Sequence, residues 1–330
     1  MRRLAAFGLG QSGATCSLLE SKLTGLVLRV DAKRCHVDVG GQVYLLSPRG
    51  KLFESRGTAK NPVAVGDRVE VTLDGDGGGS IERVLERSTK LARASAGEGT
   101  REQVLVANVD QALIISSMRA PEFRPALVDR ILAGAERGGI APRIVMNKID
   151  NEDAASTGAH SSAHWIAFYE RLGYPGHRVS AQTGEGVEAL RGYLANHITV
   201  FCGLSGVGKS SLLNAIEPGL ALRVGNVSKR GVREGRHTTT HSALLRLECG
   251  GYVVDTPGIR NFGLFGLAER EVAALFPELR VHLGSCAFDD CLHTHEPHCA
   301  IKAARDRGEI TASRYASYVE LLEDAHSGAL

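Results

Sequence analysis

The chain of 330 residues lacks any apolar run long enough to cross a bilayer, and its net formal charge is only +2. The first absence argues against a membrane-spanning helix. The second argues against a purely electrostatic nucleic-acid binder, while leaving room for a local basic face. Internal repeats are also missing, so no repeat array is expected. The opening MRRLAAFGLGQSG has two arginines, but Gly8, Gly10 and Gln11 interrupt its apolar stretch. Residues 1–20 therefore read as a flexible leader rather than a signal peptide. Cysteine is sparse and oddly placed: Cys16, Cys35, Cys202 and Cys249 are scattered, whereas Cys286, Cys291 and Cys299 are bunched among histidines. That distribution suits a reducing cytoplasm and a metal site better than a disulfide framework.

What is present is a globular composition, 43% hydrophobic and 23% charged, on a chain long enough for about two or three domains. Residues 21–95 read as short strands: GLVLRV, RCHVDV, QVYLLS, DRVEVTL and SIERVLE, separated by glycine, proline and Asp-Gly signals. Gly40-Gly41 makes a two-residue hairpin turn inside HVDVGGQVYLL. Such strands fit a small barrel of the OB type, or alternatively any small β-sandwich. From residue 96 to 265 the texture changes. Buried strands (QALIISS, PRIVMN, HRVS, ITVFCG) alternate with helical patterns (ALVDRILAGAER, HWIAFYERLG, EGVEALRGYLAN, SLLNAIEP). This alternation predicts a mostly parallel sheet with helices on both faces. The polar stretch between Asn151 and Ser162 reads as a loop, and ALLRLECGGYVVDTPG reads as a hairpin entering Asp255. Residues 266–330 read as helical apart from the Cys/His cluster, with ASRYASYVELLEDA an amphipathic helix packing on that module or on a partner.

Gly203-Leu204-Ser205-Gly206-Val207-Gly208-Lys209-Ser210, with Ser211 behind it, follows the apolar strand and precedes a helix. Its glycines let backbone N–H groups face an anion, Lys209 reaches terminal phosphates, and the Ser210 hydroxyl suits Mg²⁺. The loop alone does not separate ATP from GTP. Asp255 and Gly258 of DTPG supply a carboxylate for Mg²⁺ and an N–H for a γ-phosphate. Asn147, Lys148 and Asp150 of MNKID form a guanine reader: the Asp150 carboxylate accepts both N1–H and the exocyclic amine, an edge that adenine lacks. Asn147 would secure the loop or the base edge, the Lys148 stem would pack on the ring, and Ser180-Ala181-Gln182 after HRVS resembles the second guanine-contacting loop of G proteins. Further on, Cys286-x4-Cys291-x-His293-x5-Cys299 offers three thiolates and an imidazole, a soft closed set for one structural Zn²⁺. His295 and His298 compete as ligands.

The base reader precedes the phosphate loop, the reverse of the usual order. A parallel sheet needs its strands in the right places, not in one chain order, and circular permutation tolerates such a change. The helix EGVEALRGYLAN running into ITVFCG is the join. With these motifs in that order, the chain resembles the circularly permuted, small-subunit-dependent GTPases of the RsgA (YjeQ/EngC) family over nearly its whole length. The resemblance implies a multidomain α/β protein with an N-terminal OB-fold, a permuted P-loop GTPase domain and a C-terminal zinc domain. It implies GTP and GDP as ligands, Mg²⁺-dependent hydrolysis in late small-subunit maturation, and a cytoplasmic monomer that contacts rRNA and no membrane.

The residue after Asp-x-x-Gly is Ile259, which can neither donate nor accept, so another group must orient the attacking water. Similarity to the family points to His237; read without it, His237 is a solvated loop histidine. Thr238 and Thr239 both lie where a switch threonine would complete the Mg²⁺ shell, and the family favours Thr239. Gly206 stands where potassium-binding relatives carry Asn, which counts against potassium activation. The family's pattern is similar at all four zinc positions and more often small at His298. In the barrel, Arg29, Lys33, Arg34, Arg49, Lys51 and Arg56 are candidates for rRNA phosphates, each equally readable as a solvated charge. The permuted order sends the switch into the zinc domain and the barrel into the other end of the sheet, an arrangement suited to timed release. A permuted GTPase of the large subunit, or an RNA-binding module that holds GTP without hydrolysing it, are the alternatives. The OB-like start and zinc cluster argue against the first, and intact Lys209, Ser210, Asp255 and His237 against the second.

Overall fold

The computed structural model describes residues 23–31, 34–54, 62–74, 77–94, 102–153, 155–220, 243–255, 264 and 266–328. His237, Thr238, Thr239, Gly258, Ile259, Lys33, Arg56, Cys16 and the leader over 1–20 lie outside them.

The first strands are β1 (Leu23–Asp31), β2 (Arg34–Val39) and β3 (Gln42–Pro48), then a single turn, α1 (Lys51–Glu54), and β4 (Arg68–Leu73) and β5 (Gly79–Val84). Alternate residues of each point inward, giving a core of Val27, Cys35, Val37, Leu46, Val69, Val71 and Ile81. Gly40 and Gly41 turn β2 into β3 with φ of 63° and 92°, a left-handed pair that a side chain would strain. β1 pairs with β2, β2 with β3, β3 with β5, β5 with β4, and β4 with β1. The last pairing closes the sheet, so the outcome is a barrel and not a sandwich. Asp67, fully buried, accepts both nitrogens of an Arg87 fork at 2.7 and 2.8 Å.

A two-stranded hairpin, β6 (Lys90–Ala94) with β7 (Glu102–Ala107), spans the expected barrel boundary near residue 95. Then come β8 (Gln111–Ser116), α2 (Pro125–Gly138), β9 (Ala141–Met146), α3 (Ser162–Arg171), β10 (Gly176–Arg178), α4 (Val187–Leu194), β11 (Ile198–Cys202), α5 (Lys209–Ile216), β12 (Ala243–Arg246) and β13 (Tyr252–Asp255). The sheet order is β10-β9-β8-β11-β13-β12, parallel except for the antiparallel β12–β13 hairpin. Every residue of β8 is buried, because both faces are covered. Ala112 and Ile114 join one core with Ile131 and Leu132 of α2 and Ile166 of α3. Leu113 and Ile115 join the other core, with Leu190 of α4 and Leu212 of α5. Each such leucine or isoleucine side chain removed from water contributes about 1.5–3 kcal/mol. The polar stretch after Asn151 holds a 3₁₀ turn at Gly158–His160 rather than being wholly irregular.

The barrel joins this sheet at the β12 edge, where Arg29 of β1 pairs with Ala243, and not at the far edge. Tyr252 donates to Asp38 at 3.3 Å across the same junction.

The C-terminal module comprises α6 (Glu269–Val272), α7 (Pro277–Arg280), α8 (Ala300–Asp306) and α9 (Ala312–Ser327) around Val272, Phe276, Ile301, Tyr318 and Leu321. Ala133 of α2 lies in that core, so α9 packs on α2 as well as on its own module.

Candidate nucleotide site and metal cluster

The phosphate-loop segment leaves the C-terminal end of β11 and enters α5, the end of the strands at which open α/β sheets hold ligands. Its glycines are obligatory. Gly203 has φ of 137°, and a Cβ there would sit 2.0 Å from the Ile115 carbonyl oxygen; Gly208 has φ of 92°, and a Cβ would come within 2.5 Å of Asn147 Nδ2. Gly206 also has positive φ, 88°. Lys209 Nζ donates to the carbonyls of Gly203 and Leu204, both at 2.8 Å, and burial lowers its pKa. Ser210 and Ser211 occupy the first turn of α5. Asp255 ends β13, whose Val254 pairs with Val200 near the end of β11, so its backbone lies close to the strand end from which the loop leaves.

MNKID follows β9 directly. Asn147 is buried and joins three segments: its Nδ2 donates to the Val207 carbonyl at 2.9 Å, and its Oδ1 accepts from Ala181 N at 3.1 Å. Lys148, at φ of 62°, places Nζ 2.6 Å from the carbonyls of Gly206 and Ala120. Asp150 is exposed and accepts from Ser180 Oγ at 2.5 Å. Ser180 is fully buried, and its Oγ also accepts from the N–H groups of Gln182 and Thr183 at 3.2 and 3.1 Å. The segments far apart in sequence thus meet: Asn147, Lys148 and Asp150, Ser180-Ala181-Gln182, and Gly203 to Ser211 lie at one end of one sheet. An arrangement with a carboxylate at one side and a ring of loop N–H groups at the other can hold a guanine nucleotide by its two ends.

One participant has no sequence motif. The Ser117–Arg124 segment between β8 and α2 supplies the Ala120 carbonyl that holds Lys148, and Ser117 Oγ donates to the Pro121 carbonyl at 3.1 Å. Its only signal is its position after the carboxyl end of a fully buried parallel strand.

In the C-terminal module the ligand atoms of Cys286, Cys291, His293 and Cys299 all lie within 4.8 Å of one another. Cys286 Sγ is 3.9 Å from Cys299 Sγ, and His293 Nδ1 is 3.4 and 3.5 Å from those two sulfurs. Zn–S bonds of about 2.3 Å set tetrahedron edges of about 3.8 Å, so the donor set fits Zn²⁺. His295 and His298 are exposed and outside this group. Supporting bonds hold the ligand loop: Tyr315 donates to the His293 carbonyl at 2.6 Å, and Glu296 accepts from the N–H groups of Leu292 and Thr294 at 2.7 and 2.8 Å. Burial raises the Glu296 pKa, but these backbone N–H bonds outweigh it and hold the carboxyl at about 2.

A five-stranded closed barrel, a glycine-rich GKS loop downstream of the MNKID segment and a Cys/His module are the features of a circularly permuted phosphate-loop GTPase. Comparison with known proteins agrees. A family model described as RsgA GTPase matches residues 84–265. The small ribosomal subunit biogenesis GTPase RsgA of Gemmatimonas aurantiaca is 42% identical over 287 residues, covering 86% of this chain and 91% of that protein. The protein of the same name from Bacteroides fragilis is 39% identical over 268 residues, covering 81% and 86%. Among solved structures, YjeQ from Thermotoga maritima superposes with a TM-score of 0.73 at 35% identity, covering 92% of this chain and 98% of that one. YloQ, described as a circularly permuted GTPase, superposes at 0.70 and 29% identity, covering 93% and 96%. The chain belongs to the RsgA GTPase family.

Proposed function

We propose that this protein binds the small ribosomal subunit, hydrolyses GTP there during its late maturation, and leaves when the γ-phosphate is lost. The observation that supports this most is the pair of hydrogen bonds made by the Asn147 side chain, one to the phosphate loop and one to the second base loop. It fixes the distance between a guanine-reading carboxylate and a triphosphate cradle. The relatives' name supplies the biological setting.

In this reading Asp150 accepts the guanine N1–H and exocyclic amine, and the Lys148 stem covers the ring. The backbone N–H groups from Gly203 to Ser211 and the start of α5 hold the phosphates. Lys209 exchanges its two carbonyl partners for phosphate oxygens, a move made easier because it already lies in the loop. Gly258 N–H meets the γ-phosphate. Ser210, Asp255 and Thr239 would hold Mg²⁺, which supplies charge neutralisation on the phosphates. His237 orients a water that attacks the γ-phosphorus as the bond to the bridging oxygen breaks, yielding GDP and phosphate. Cys286, Cys291, His293 and Cys299 would hold Zn²⁺ in a structural role, the usual one for three thiolates and an imidazole.

For rRNA, Arg34 and Lys51 are the stronger barrel candidates, being exposed. Arg29 is committed to Asp31 and Arg49 to Glu82, both at 2.8 Å. Among the described residues no helix is long and apolar enough to cross a membrane. The reading takes the protein as a cytoplasmic monomer, in the setting that the relatives' name supplies. The test is GTP turnover with and without purified small subunits, with ATP as competitor. Stimulated, GTP-selective turnover is expected. GTP binding without turnover would leave the non-hydrolysing module, and stimulation by large subunits instead would indicate the other permuted class.

A further inference from the structure

Asp150 sits in a 3₁₀ turn of three residues, Ile149–Asn151, too short to hold its own orientation. In front, Ser180 grips its carboxylate. Behind it lies a second link. Glu152, whose side chain is only 9% exposed, accepts from both the N–H and the Oγ–H of Ser162 at 3.2 and 2.9 Å. Ser162 is fully buried and opens α3. Its Oγ in turn accepts from Arg178 Nε at 2.7 Å, and the Arg178 guanidinium stands 3.9 Å from the same Glu152 oxygen. Arg178 is the last residue of β10, two before Ser180.

The two base-reading segments are therefore tied twice, once through Asp150–Ser180 and once through Glu152–Ser162–Arg178. The second tie is electrostatically demanding. Glu152 Oε1 is buried with no hydrogen-bond partner among the described residues, a costly way to fill space where an apolar side chain would pack. A carboxylate kept in that position acts on its surroundings through charge and direction. A turn released at this end can still approach a base but loses the alignment of two oxygens on two donors. The exocyclic amine, at the outer edge of guanine, is the first donor to go unpaired.

We propose that Glu152 and Arg178 are positioning residues for guanine selectivity, acting through the turn that carries Asp150. This rests on the reading of Asp150 as the guanine-binding carboxylate. The test compares kcat/KM for GTP and for ITP, which lacks the exocyclic amine, in the full-length wild type, Glu152→Gln, Arg178→Met and the double variant. The expected result is a KM for GTP raised about 5- to 20-fold with kcat within about twofold, and a GTP/ITP preference reduced by the same factor. The double variant should be no worse than either single one, because one link is being cut twice. Arg178 is 44% exposed, so its replacement keeps the test valid should Glu152→Gln fold poorly. An unchanged GTP/ITP ratio in folded Arg178→Met overturns the proposal. A wild type that fails to prefer GTP over ATP overturns the guanine reading itself.

Discussion

Asp129 of α2 and Arg314 of α9 meet at 2.7 Å with each side chain 1% exposed. The partners around them are complete. Ser317 Oγ and Tyr169 OH donate to the Asp129 carboxylate at 2.6 and 2.9 Å, Glu278 accepts from Arg314 Nε at 2.5 Å, and the guanidinium lies 4.6 Å over the Phe276 ring. Around this pair, Arg280 reaches Glu136 at 2.7 Å and Arg137 reaches the Gly266 carbonyl at 3.0 Å. The C-terminal module is thus seated on α2, the helix whose preceding loop holds Lys148. The candidate nucleotide site and the Cys/His module are both linked to α2, besides the covalent run through residues 256–265.

Replacing Arg314 by Met strands Asp129 and Glu278 as desolvated carboxylates. The expected loss is about 3–5 kcal/mol, read by urea unfolding. The triple variant Arg314→Met, Asp129→Leu and Glu278→Leu should recover much of that loss, since buried ionic partners exchanged together for apolar groups are often neutral.

Asn147→Ala removes both bonds that span the base loops and the phosphate loop. GTP affinity by calorimetry should fall by about 10- to 100-fold, the range of one to two buried hydrogen bonds left unmade. An affinity within about twofold of wild type would show that the two ends of the nucleotide site are held by other means.

One zinc per chain is expected by elemental analysis. Its removal by a chelator should unfold the loop from Cys286 to Cys299. Tyr315 and Tyr318, whose hydroxyls now bond the His293 and Leu292 carbonyls, would then be exposed. Cys291→Ser should show the same near-ultraviolet change without chelator, while the signal of the central sheet persists.

Stability should fall as pH drops below about 6.5. His177 closes the sheet edge with Nε2 buried and without a hydrogen-bond partner among the described residues, its ring 4.7 Å from Tyr193, itself capped by Arg143 at 4.1 Å. Burial, then the Arg143 charge, lowers the His177 pKa below 6.5, opposed by Glu170. A base with a depressed folded pKa contributes stability above its unfolded value, and that contribution is lost as the unfolded chain takes up the proton. His177→Phe should flatten the pH dependence of the urea midpoint between about pH 7.5 and 5.5; an unchanged slope assigns the effect elsewhere.

Much of the architecture could be read in advance because it rests on local pattern. Gly40-Gly41, the apolar runs from Gln111 and from Ile198, and the phosphate loop each state their conformation within a few residues. The Cys/His spacing did the same for the cluster. Less was legible where one pattern serves two folds: the five N-terminal strands suit a barrel or a sandwich, and only the pairing of β4 with β1 separates them. Glu152, Arg178 and Arg314 carried no signal, since an acidic or basic residue beside a turn or on an amphipathic helix is ordinarily solvated.

Local chemistry, then, was written in the chain: which loops can cradle an anion, which strands are covered on both sides, which thiols stand close enough to share an ion. Where the barrel attaches, which helix carries the metal module, and which charges leave water to join them emerged only on folding. Burial and pairing are properties of space, and Asp129 and Arg314 become neighbours through the packing of whole helices, not through anything near them along the chain.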